Sequence, residues 1–345
     1  MSKLFTSLIN NRLLKWSESQ NVVSDAQFGF KPNYGTKDAI FALHSIIYKT
    51  LKCKRKLYCC FVDHKKVFDS VPHIELWQKM IKSGITGKLF NVIHSIYKNV
   101  RACVKLNGQT SDFFKLSVGL MQGEALSPYL FSLYVNDLEM SFLESPCEGY
   151  QFNLLNIYLL MYADDTVLIN DSPAGLQTML DTLSIYLNKW KLNLNVQKTK
   201  IVVFRNGSQP VRDNWYFDGE MIENVNSFCY LGLVLNYNGS FSVCQKTLAS
   251  QGRKARGALF SKTKKLQLNL VTRLKLFDTY VTPVLLYGSE IWGLCNAQDI
   301  EKVHTEFLRQ IVGVRRGVSN SMLYYETGRW PLYIKSKSAA FKILG

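Results

Sequence analysis

The feature that most constrains this chain is a pair of adjacent aspartates, Asp164 and Asp165, enclosed by two apolar segments. Residues 157–163 precede the pair and residues 166–169 follow it. Both segments have the length and composition of short buried strands, so the sequence predicts a β-hairpin with carboxylates at its tip. Like charges at this spacing repel, and flanking apolar strands remove the water that would screen them. A divalent cation would relieve both effects.

A second apolar segment, residues 57–62, ends at another acidic residue, Asp63. If this strand lies beside the hairpin, three carboxylates meet at one place. Magnesium prefers carboxylate oxygens, and two ions about 3.5–4 Å apart suit in-line phosphoryl transfer. Asp63, Asp164 and Asp165 are therefore the predicted catalytic residues and ligands of two Mg²⁺ ions, which Mn²⁺ could replace. Taken alone, an Asp-Asp pair is more often an ordinary surface turn.

The net charge of +16 favours a polyanionic partner, either nucleic acid or an acidic membrane surface. Residues 246–275 contain nine basic side chains and no acidic one. A solvated helix face normally mixes the two signs, so this segment is better explained by phosphates. The residues predicted to bind nucleic acid are Lys246, Arg253, Lys254, Arg256, Lys262, Lys264 and Lys265.

The sequence predicts an intracellular protein, in the cytoplasm, the nucleus or both, that is not secreted and has no membrane partner. It has no uninterrupted apolar run of about 18 residues, and residues 1–11 lack the apolar core of a secretory signal. None of the eight cysteines forms a C-x-x-C pair, so we expect buried reduced thiols rather than zinc ligands or disulfides.

Strands alternate with helices up to about residue 235, and a basic, helical region follows. This order predicts an α+β domain and then a helical one, with a boundary near residues 236–245. The individual elements predicted are strands at 57–62, 200–204 and 230–235, a hairpin turn at 107–108, and helices at 72–83, 128–140, from 173 onward, and 300–314.

Six segments, in the same order along the chain, resemble the motifs of reverse transcriptases. The Tyr-Ala-Asp-Asp sequence at 162–165 resembles the Tyr-x-Asp-Asp signature of that family. The others are similar to the fingers region (27–32), the first catalytic aspartate (61–71), the nucleotide-site Gln-Gly segment (119–128), the lysine motif (194–200) and the primer grip (228–232). The amino-acid sequences of these motifs, and of residues 277–288, most resemble those of non-LTR (LINE-like) retrotransposons.

The resemblance implies an α+β fold of the right-hand polymerase type, with fingers, an antiparallel-sheet palm and a helical thumb. Residues 1–55 would be partial fingers, 56–235 the palm with interleaved fingers segments, and 236–345 the thumb and a post-polymerase segment. The implied activity is an RNA-directed DNA polymerase within a retrotransposon protein. Its partners would be an RNA template, a DNA primer whose 3′-hydroxyl is extended, and dNTPs.

The resemblance also implies roles around the incoming nucleotide. Phe68 would lie under the sugar and exclude a 2′-hydroxyl, Gln122 and Gly123 would line the nucleotide pocket, and Lys198 would place a positive charge near the triphosphate. Without the surrounding motifs, Phe68 would be interpreted as a core phenylalanine and Lys198 as a solvated surface residue. The basic residues after 245 would follow the template–primer backbone.

Several features depart from the family pattern. His64 replaces a residue that is usually apolar or aromatic, Met121 stands where arginine is common, and Glu124 adds an acid beside the nucleotide pocket. The first basic fingers strand and an endonuclease domain are not found in the sequence. One alternative is therefore a truncated or co-opted, catalytically impaired remnant that binds nucleic acid. An RNA-dependent RNA polymerase is another, but it would usually lack the aromatic gate and carry Gly before the Asp pair.

Overall fold

The computed structural model describes residues 2–344, which form two compact units. The first unit contains the residues up to Ala39 together with Lys49–Val225, and the second contains Ile40–Tyr48 and the residues from Asn226 onward. The observed division thus lies before the predicted boundary at 236–245. The second unit includes the middle of a helix near the N-terminus because the His44 ring packs 5.0 Å from the ring of Phe241.

The first unit contains most of the strands, and helices cover them. Its elements are α1 (Ser2–Gln20), the ends of α2 (Thr36–Lys52), β1 (Leu57–Val62), α3 (Val67–Ser70), α4 (His73–Lys82), α5 (Gly87–Lys98), β2 (Arg101–Ala102), β3 (Lys105–Leu106), β4 (Gln109–Thr110), β5 (Phe114–Lys115), α6 (Ser127–Tyr134), α7 (Leu138–Leu143), β6 (Tyr150–Phe152), β7 (Leu155–Ile157), β8 (Leu159–Tyr162), β9 (Asp165–Asn170), α8 (Pro173–Lys189), β10 (Lys200–Phe204), β11 (Trp215–Phe217) and β12 (Glu220–Asn224).

The second unit begins with a hairpin and is otherwise helical. Its elements after residue 225 are β13 (Ser227–Tyr230), β14 (Leu233–Asn236), α9 (Ser242–Thr263), α10 (Leu270–Tyr280), α11 (Thr282–Leu285), α12 (Ser289–Trp292), α13 (Gln298–Val312), α14 (Asn320–Thr327) and α15 (Leu332–Leu344). Among residues 2–344, no helix has both the length and the apolar composition needed to cross a bilayer.

A six-stranded sheet in the order β11-β12-β10-β1-β9-β8 forms the centre of the first unit. Strand β1 lies in its middle, paired antiparallel with β9 on one side and β10 on the other. All six residues of β1 are buried, and Tyr58, Cys60 and Val62, which share one face of the strand, belong to the main hydrophobic core. The predicted strands at 57–62 and 200–204 are confirmed, and so is the hairpin formed by β8 and β9.

The prediction of one strand over residues 230–235 is wrong, because the structure has a hairpin there. Strands β13 and β14 pair antiparallel, with Tyr230 opposite Leu233. Leu231 and Gly232 form the two-residue turn, with φ values of 47° and 83°. Two consecutive positive φ values are typical of the tight hairpin turn that suits twisted strands. Leucine is an unusual residue at the first of these positions, so the apolar run concealed the turn.

The prediction of one helix over residues 128–140 is also wrong, since α6 and α7 are separated by a break at Asn136 and Asp137. The Asn136 amide accepts a hydrogen bond from the Ser24 N–H (2.9 Å) and donates one to the Val22 carbonyl (2.7 Å). Asp137 binds partners on two other helices. Both side chains form hydrogen bonds with residues distant in sequence, so the spacing of apolar residues alone could not reveal the break.

Lys79 on α4 is charged but almost completely buried, with 3% of its side chain exposed. Its ammonium donates to the Asp137 carboxylate and to the Tyr186 hydroxyl (3.1 Å), and lies 3.5 Å from the centre of the Trp190 ring. The Tyr186 hydroxyl donates in turn to Asp137 (2.6 Å). Burial lowers the pKa of Lys79 to about 8, although Asp137 acts in the opposite direction. This network joins α4, α8 and the break between α6 and α7.

We expect Asp137→Asn to lower the free energy of unfolding by about 2–4 kcal/mol at pH 7, because it leaves a buried ammonium without its counter-charge. Lys79→Met should change the same quantity by less than about 1.5 kcal/mol, since an apolar side chain of similar length removes the charge itself. Urea unfolding of both variants measures the difference. Equal losses in the two variants would contradict this account.

The pH dependence follows from the lowered pKa. The unfolded chain binds more protons than the folded one between about pH 8 and the ordinary lysine value near 10.5. Wild-type stability relative to Lys79→Met should therefore rise with pH across that window, and stay constant below it.

Candidate active site

The three predicted catalytic aspartates lie at the same end of the central sheet. Strand pairing places Val62 opposite Thr166 and Tyr162 opposite Asp165. Asp63 is the next residue after Val62, and Asp165 is the residue before Thr166, so these two acids face each other one step beyond the last β1–β9 pair. Neighbouring strands are about 4.8 Å apart. The pairing therefore brings Asp63 close to the turn that carries Asp164 and Asp165.

The carboxylates influence one another electrostatically. Burial raises the pKa of Asp164, and the charge of Asp63 raises it further, although a backbone hydrogen bond opposes the shift. Burial also raises the pKa of Asp165 to about 6, with additional contributions from Asp164 and Asp63. Among the described residues, none of the ion pairs includes any of these three carboxylates. The site therefore concentrates negative charge that the chain itself does not neutralise.

This donor set fits magnesium in type. Three carboxylates supply hard oxygen ligands, and their mutual repulsion is the condition that a divalent cation relieves. Within residues 2–344, no three His, Cys, Asp or Glu side chains converge closely enough to enclose a metal ion by themselves. Magnesium commonly keeps several waters and takes substrate phosphates as ligands, so an open set of carboxylates is compatible with it.

The backbone of Asp63 is fixed by the turn that precedes β10. The Asp63 N–H donates to the Thr199 hydroxyl (3.1 Å), and the Asn195 N–H donates to the Asp63 carbonyl (2.8 Å). Lys198 belongs to this turn, and its side chain is exposed. Sequence reasoning singled out Lys198 but missed Thr199, a buried residue one position later. The lysine motif thus contacts the backbone of Asp63 through its own backbone and its threonine.

Residues 27–29, which the sequence assigned to the fingers, pack against the acidic turn. The Gln27 side-chain carbonyl accepts hydrogen bonds from the Ala163 N–H (3.0 Å) and the Gly29 N–H (2.8 Å). Gln27 is 1% exposed. Sequence reasoning missed this contact because the Gln-Phe-Gly-Phe pattern marks a loop without indicating which strand the loop meets.

The structure brings Phe68 close to the Gln-Gly segment, whereas Lys198 lies in the turn before β10. The Phe68 carbonyl accepts from the Leu120 N–H (2.6 Å), and the Gln122 amide donates to Asp69 (2.8 Å). The half-buried Phe68 ring packs against Phe131, with ring centres 5.1 Å apart. Helix α3, which carries Phe68, therefore lies against the Gln-Gly segment.

Gly123 has a φ of 81°, and no other heavy atom lies within 4 Å of where its Cβ would be. Only glycine adopts this conformation readily, and the open space leaves its backbone accessible.

The departures from the family pattern have structural explanations. The Glu124 carboxylate, which was expected to add charge beside the nucleotide pocket, accepts a hydrogen bond from Thr6 on α1 (2.5 Å). Met121 packs partly buried against the core. The Nδ1 atom of His64 is buried without a partner among the described residues, and burial lowers the pKa of this ring to about 4. His64 is therefore neutral at physiological pH.

Helix α9 carries most of the basic residues predicted to bind nucleic acid, with Lys264 and Lys265 directly after it. Arg253 and Arg256 pair with Glu306 on α13, at 3.4 Å and 2.9 Å. The sequence count missed this because Glu306 lies far along the chain. The lysines at 246, 254, 262, 264 and 265 are exposed.

All eight cysteines are free. The expected burial holds only in part: Cys59, Cys60, Cys147 and Cys244 are buried, whereas Cys53, Cys229 and Cys295 are exposed.

Residues 1–235 match the model of the family "Reverse transcriptase (RNA-dependent DNA polymerase)". The chain is 26% identical over 329 residues to the RNA-directed DNA polymerase from mobile element jockey of Drosophila funebris, covering 91% of this chain and 34% of that protein. It is 27% identical over 343 residues to the probable RNA-directed DNA polymerase from transposon X-element of Drosophila melanogaster, covering 94% and 36%. The chain thus spans about a third of these relatives, and the resemblance to non-LTR retrotransposon sequences is confirmed.

Among solved structures, telomerase from Candida albicans in complex with a TWJ fragment of telomeric RNA is similar, with a TM-score of 0.53 at 12% identity. The match covers 94% of this chain and 58% of the telomerase chain. At this identity the likeness concerns the fold alone. It confirms the predicted α+β fold of the right-hand polymerase type.

Without divalent cations, we expect Asp165→Asn to raise the free energy of unfolding by about 1 kcal/mol at pH 8, after allowance for the exposed side of Asp165. The pKa of this carboxyl is raised to about 6 in the folded chain. The folded state thus holds the proton more tightly, and wild-type stability is lost as pH rises from about 4 to 6. Urea unfolding in EDTA at pH 4 and pH 8 measures the effect.

Asp112→Asn, in an exposed loop, is the matched control and should leave stability unchanged at both pH values. A wild type that is not less stable than Asp165→Asn at pH 8 would show that the three carboxylates do not destabilise one another.

Proposed function

The chain belongs to the reverse transcriptase (RNA-dependent DNA polymerase) family, and from this premise we propose that it extends a primer 3′-hydroxyl on an RNA template with dNTPs. The observation that carries the proposal is the meeting of Asp63 with Asp164 and Asp165 at one end of the sheet. The names of the jockey and X-element relatives, which describe RNA-directed DNA polymerases of mobile elements, support it.

In this proposal Asp63 and Asp164 are the principal ligands of two Mg²⁺ ions, and Asp165 lies beside them. When bound, the ions supply the activation of the primer hydroxyl and the stabilisation of the departing pyrophosphate. The chain contributes the placement of the carboxylates. Strand pairing fixes Asp63 relative to the turn. The Asn195 N–H donates to the Asp63 carbonyl, the Asp63 N–H donates to the Thr199 hydroxyl, and these two bonds hold the Asp63 backbone.

The nucleotide pocket lies between α3 and the Gln-Gly segment. Phe68 is held by Phe131 and by its backbone bond to Leu120, so its ring cannot move aside easily for a 2′-hydroxyl. Gln122 and Gly123 present a side-chain amide and an open backbone to the substrate. The exposed ammonium of Lys198 places a positive charge near the triphosphate.

Template and primer are bound chiefly by charge. We assign residues 1–55 to partial fingers, 56–235 to the palm with its fingers segments, and 236–345 to the thumb and post-polymerase segment. The exposed lysines on α9 and directly after it contact phosphates without reading sequence, so binding weakens as salt rises. Arg253 and Arg256 contribute less, because Glu306 neutralises part of their charge.

We expect Asp164→Asn to reduce primer extension on an RNA template by at least about 100-fold, because one metal ligand loses its charge. Template–primer affinity, measured by electrophoretic mobility shift, should stay within about twofold of wild type. Mg²⁺ should raise the melting temperature of the wild type but not that of the variant. Asp112→Asn serves again as the control.

A wild-type chain that binds template–primer but never extends it would overturn the polymerase proposal and favour the remnant that only binds nucleic acid. Preferential incorporation of ribonucleotides by the wild type would favour an RNA polymerase.

We expect Phe68→Ala to improve the ratio of ribonucleotide to deoxynucleotide kcat/KM by about 10-fold or more, since the aromatic side chain is lost. Phe68→Leu is the matched variant: it keeps apolar contact with Phe131 and retains most of the discrimination. Single-nucleotide extension with paired ribo- and deoxynucleotides gives both ratios. If the ratio is the same in the wild type and Phe68→Ala, Phe68 is a core residue and not a sugar gate.

A further inference from the structure

The turn that carries the two adjacent aspartates has an unusual backbone. Ala163 connects β8 to Asp164 with a φ of 58°, in the left-handed region that residues other than glycine seldom adopt. Such a conformation persists only where neighbouring contacts hold it. The direction in which Asp164 and Asp165 leave the turn depends on this residue, because it immediately precedes them.

Residues 26–29 supply the contacts. The Met161 N–H donates to the Ala26 carbonyl (2.7 Å), and the Phe28 N–H donates to the Met161 carbonyl (2.8 Å). This segment therefore adds to β8, the edge strand of the sheet, and ends beside the turn. Two residues after Met161, just beyond the end of β8, the Gln27 side chain continues the pairing by accepting a hydrogen bond from the Ala163 N–H.

Gly29 makes the close approach possible. A Cβ at this position would lie 2.2 Å from the Ala163 nitrogen and 2.9 Å from the Tyr162 carbonyl carbon. Both are backbone atoms of the turn and cannot rotate away. The segment can therefore lie against the turn only because residue 29 has no side chain, and its N–H then shares the Gln27 acceptor.

A purely structural role does not explain why residue 27 is a glutamine. Its side chain is buried, and its Nε2 atom has no hydrogen-bond partner among the described residues. A buried polar atom without a partner lowers stability, so an apolar side chain would pack here with less loss. The two N–H groups that point at Oε1 fix the orientation of the amide. What glutamine provides, and an apolar residue cannot, is an acceptor for the turn.

We propose that Gln27 is a positioning residue for the acidic turn: its carbonyl holds Ala163 in the left-handed conformation and thereby sets the direction of Asp164 and Asp165. The inference rests on the proposed function, since the direction matters for metal binding and catalysis. Gln27 itself touches neither the substrate nor the carboxylates in this account.

The test compares two replacements of similar size. Gln27→Met removes the acceptor and the partnerless Nε2 together, whereas Gln27→Glu keeps an acceptor oxygen. Amide hydrogen exchange of peptides covering residues 159–166, followed by mass spectrometry on the nucleic-acid-free chain, reports the turn directly. We expect Gln27→Met to accelerate exchange there by about 10-fold or more, and Gln27→Glu to restore most of the protection.

Two further measurements connect the turn to the aspartates. Mn²⁺ affinity, followed by electron paramagnetic resonance, should fall about 10-fold in Gln27→Met, and kcat for extension should fall without a matching change in template–primer affinity. The melting temperature should remain within a few degrees of wild type. Gln209→Met, on an exposed loop, is the control and should change none of these quantities.

The proposal is overturned if Gln27→Met leaves exchange at residues 159–166 and Mn²⁺ affinity unchanged. It is also overturned if exchange accelerates equally throughout the first unit, because Gln27 would then support the fold as a whole. A wild-type chain without extension activity, in which the exchange and Mn²⁺ effects still appear, would refute the polymerase function and leave the positioning role intact.

Discussion

The pairing of β1 with β9 is the constraint on which the site depends. Successive residues of a strand point to opposite faces of the sheet, so a slip of one residue would turn Asp63 away from the acidic turn. The register is held on both sides, because β9 pairs with residues 58–62 of β1 and β10 pairs with residues 57–61 along its other edge. All six side chains of β1 are buried, and a shifted strand would have to repack against the core on both faces. The distance between Asp63 and the acidic turn is therefore set by a strand that is buried along its whole length.

Charges are treated differently in the site and outside it. Lys79 is buried, but Asp137 and Tyr186 surround its ammonium. Arg253 and Arg256 converge on Glu306. In the described chain the carboxylates of the acidic turn and Asp63 have no such cation, although the protein carries a net charge of +16. A protein that pairs the buried Lys79 with a carboxylate and leaves these acids repelling one another has a site suited to a cation from solution.

The sequence predicted the elements whose signals are local. The apolar run before Asp63 became β1, and the runs around the Asp pair became β8 and β9. It failed where distant residues decide. The helix break at Asn136 exists because that amide bonds to Val22 and Ser24. The turn at Leu231 carries no typical turn residue at that position. The partner of Arg256 and the strand met by Gln27 are likewise set by tertiary contacts, which periodicity and composition do not encode.

Two kinds of contact place the aspartates. Strand pairing determines their separation, and single hydrogen bonds determine the direction of their side chains. The sheet fixes how far apart Asp63 and the turn lie, and that depends on burial across the whole core. In our proposal the direction of the side chains depends on single hydrogen bonds with irregular segments: Asp63 bonds to Asn195 and Thr199, and the Ala163 N–H donates to the Gln27 side chain. Each such bond contributes little to global stability, on the order of 1 kcal/mol. A change in one of these bonds can therefore reorient a carboxylate while the fold survives, because burial across the core supplies most of the stability.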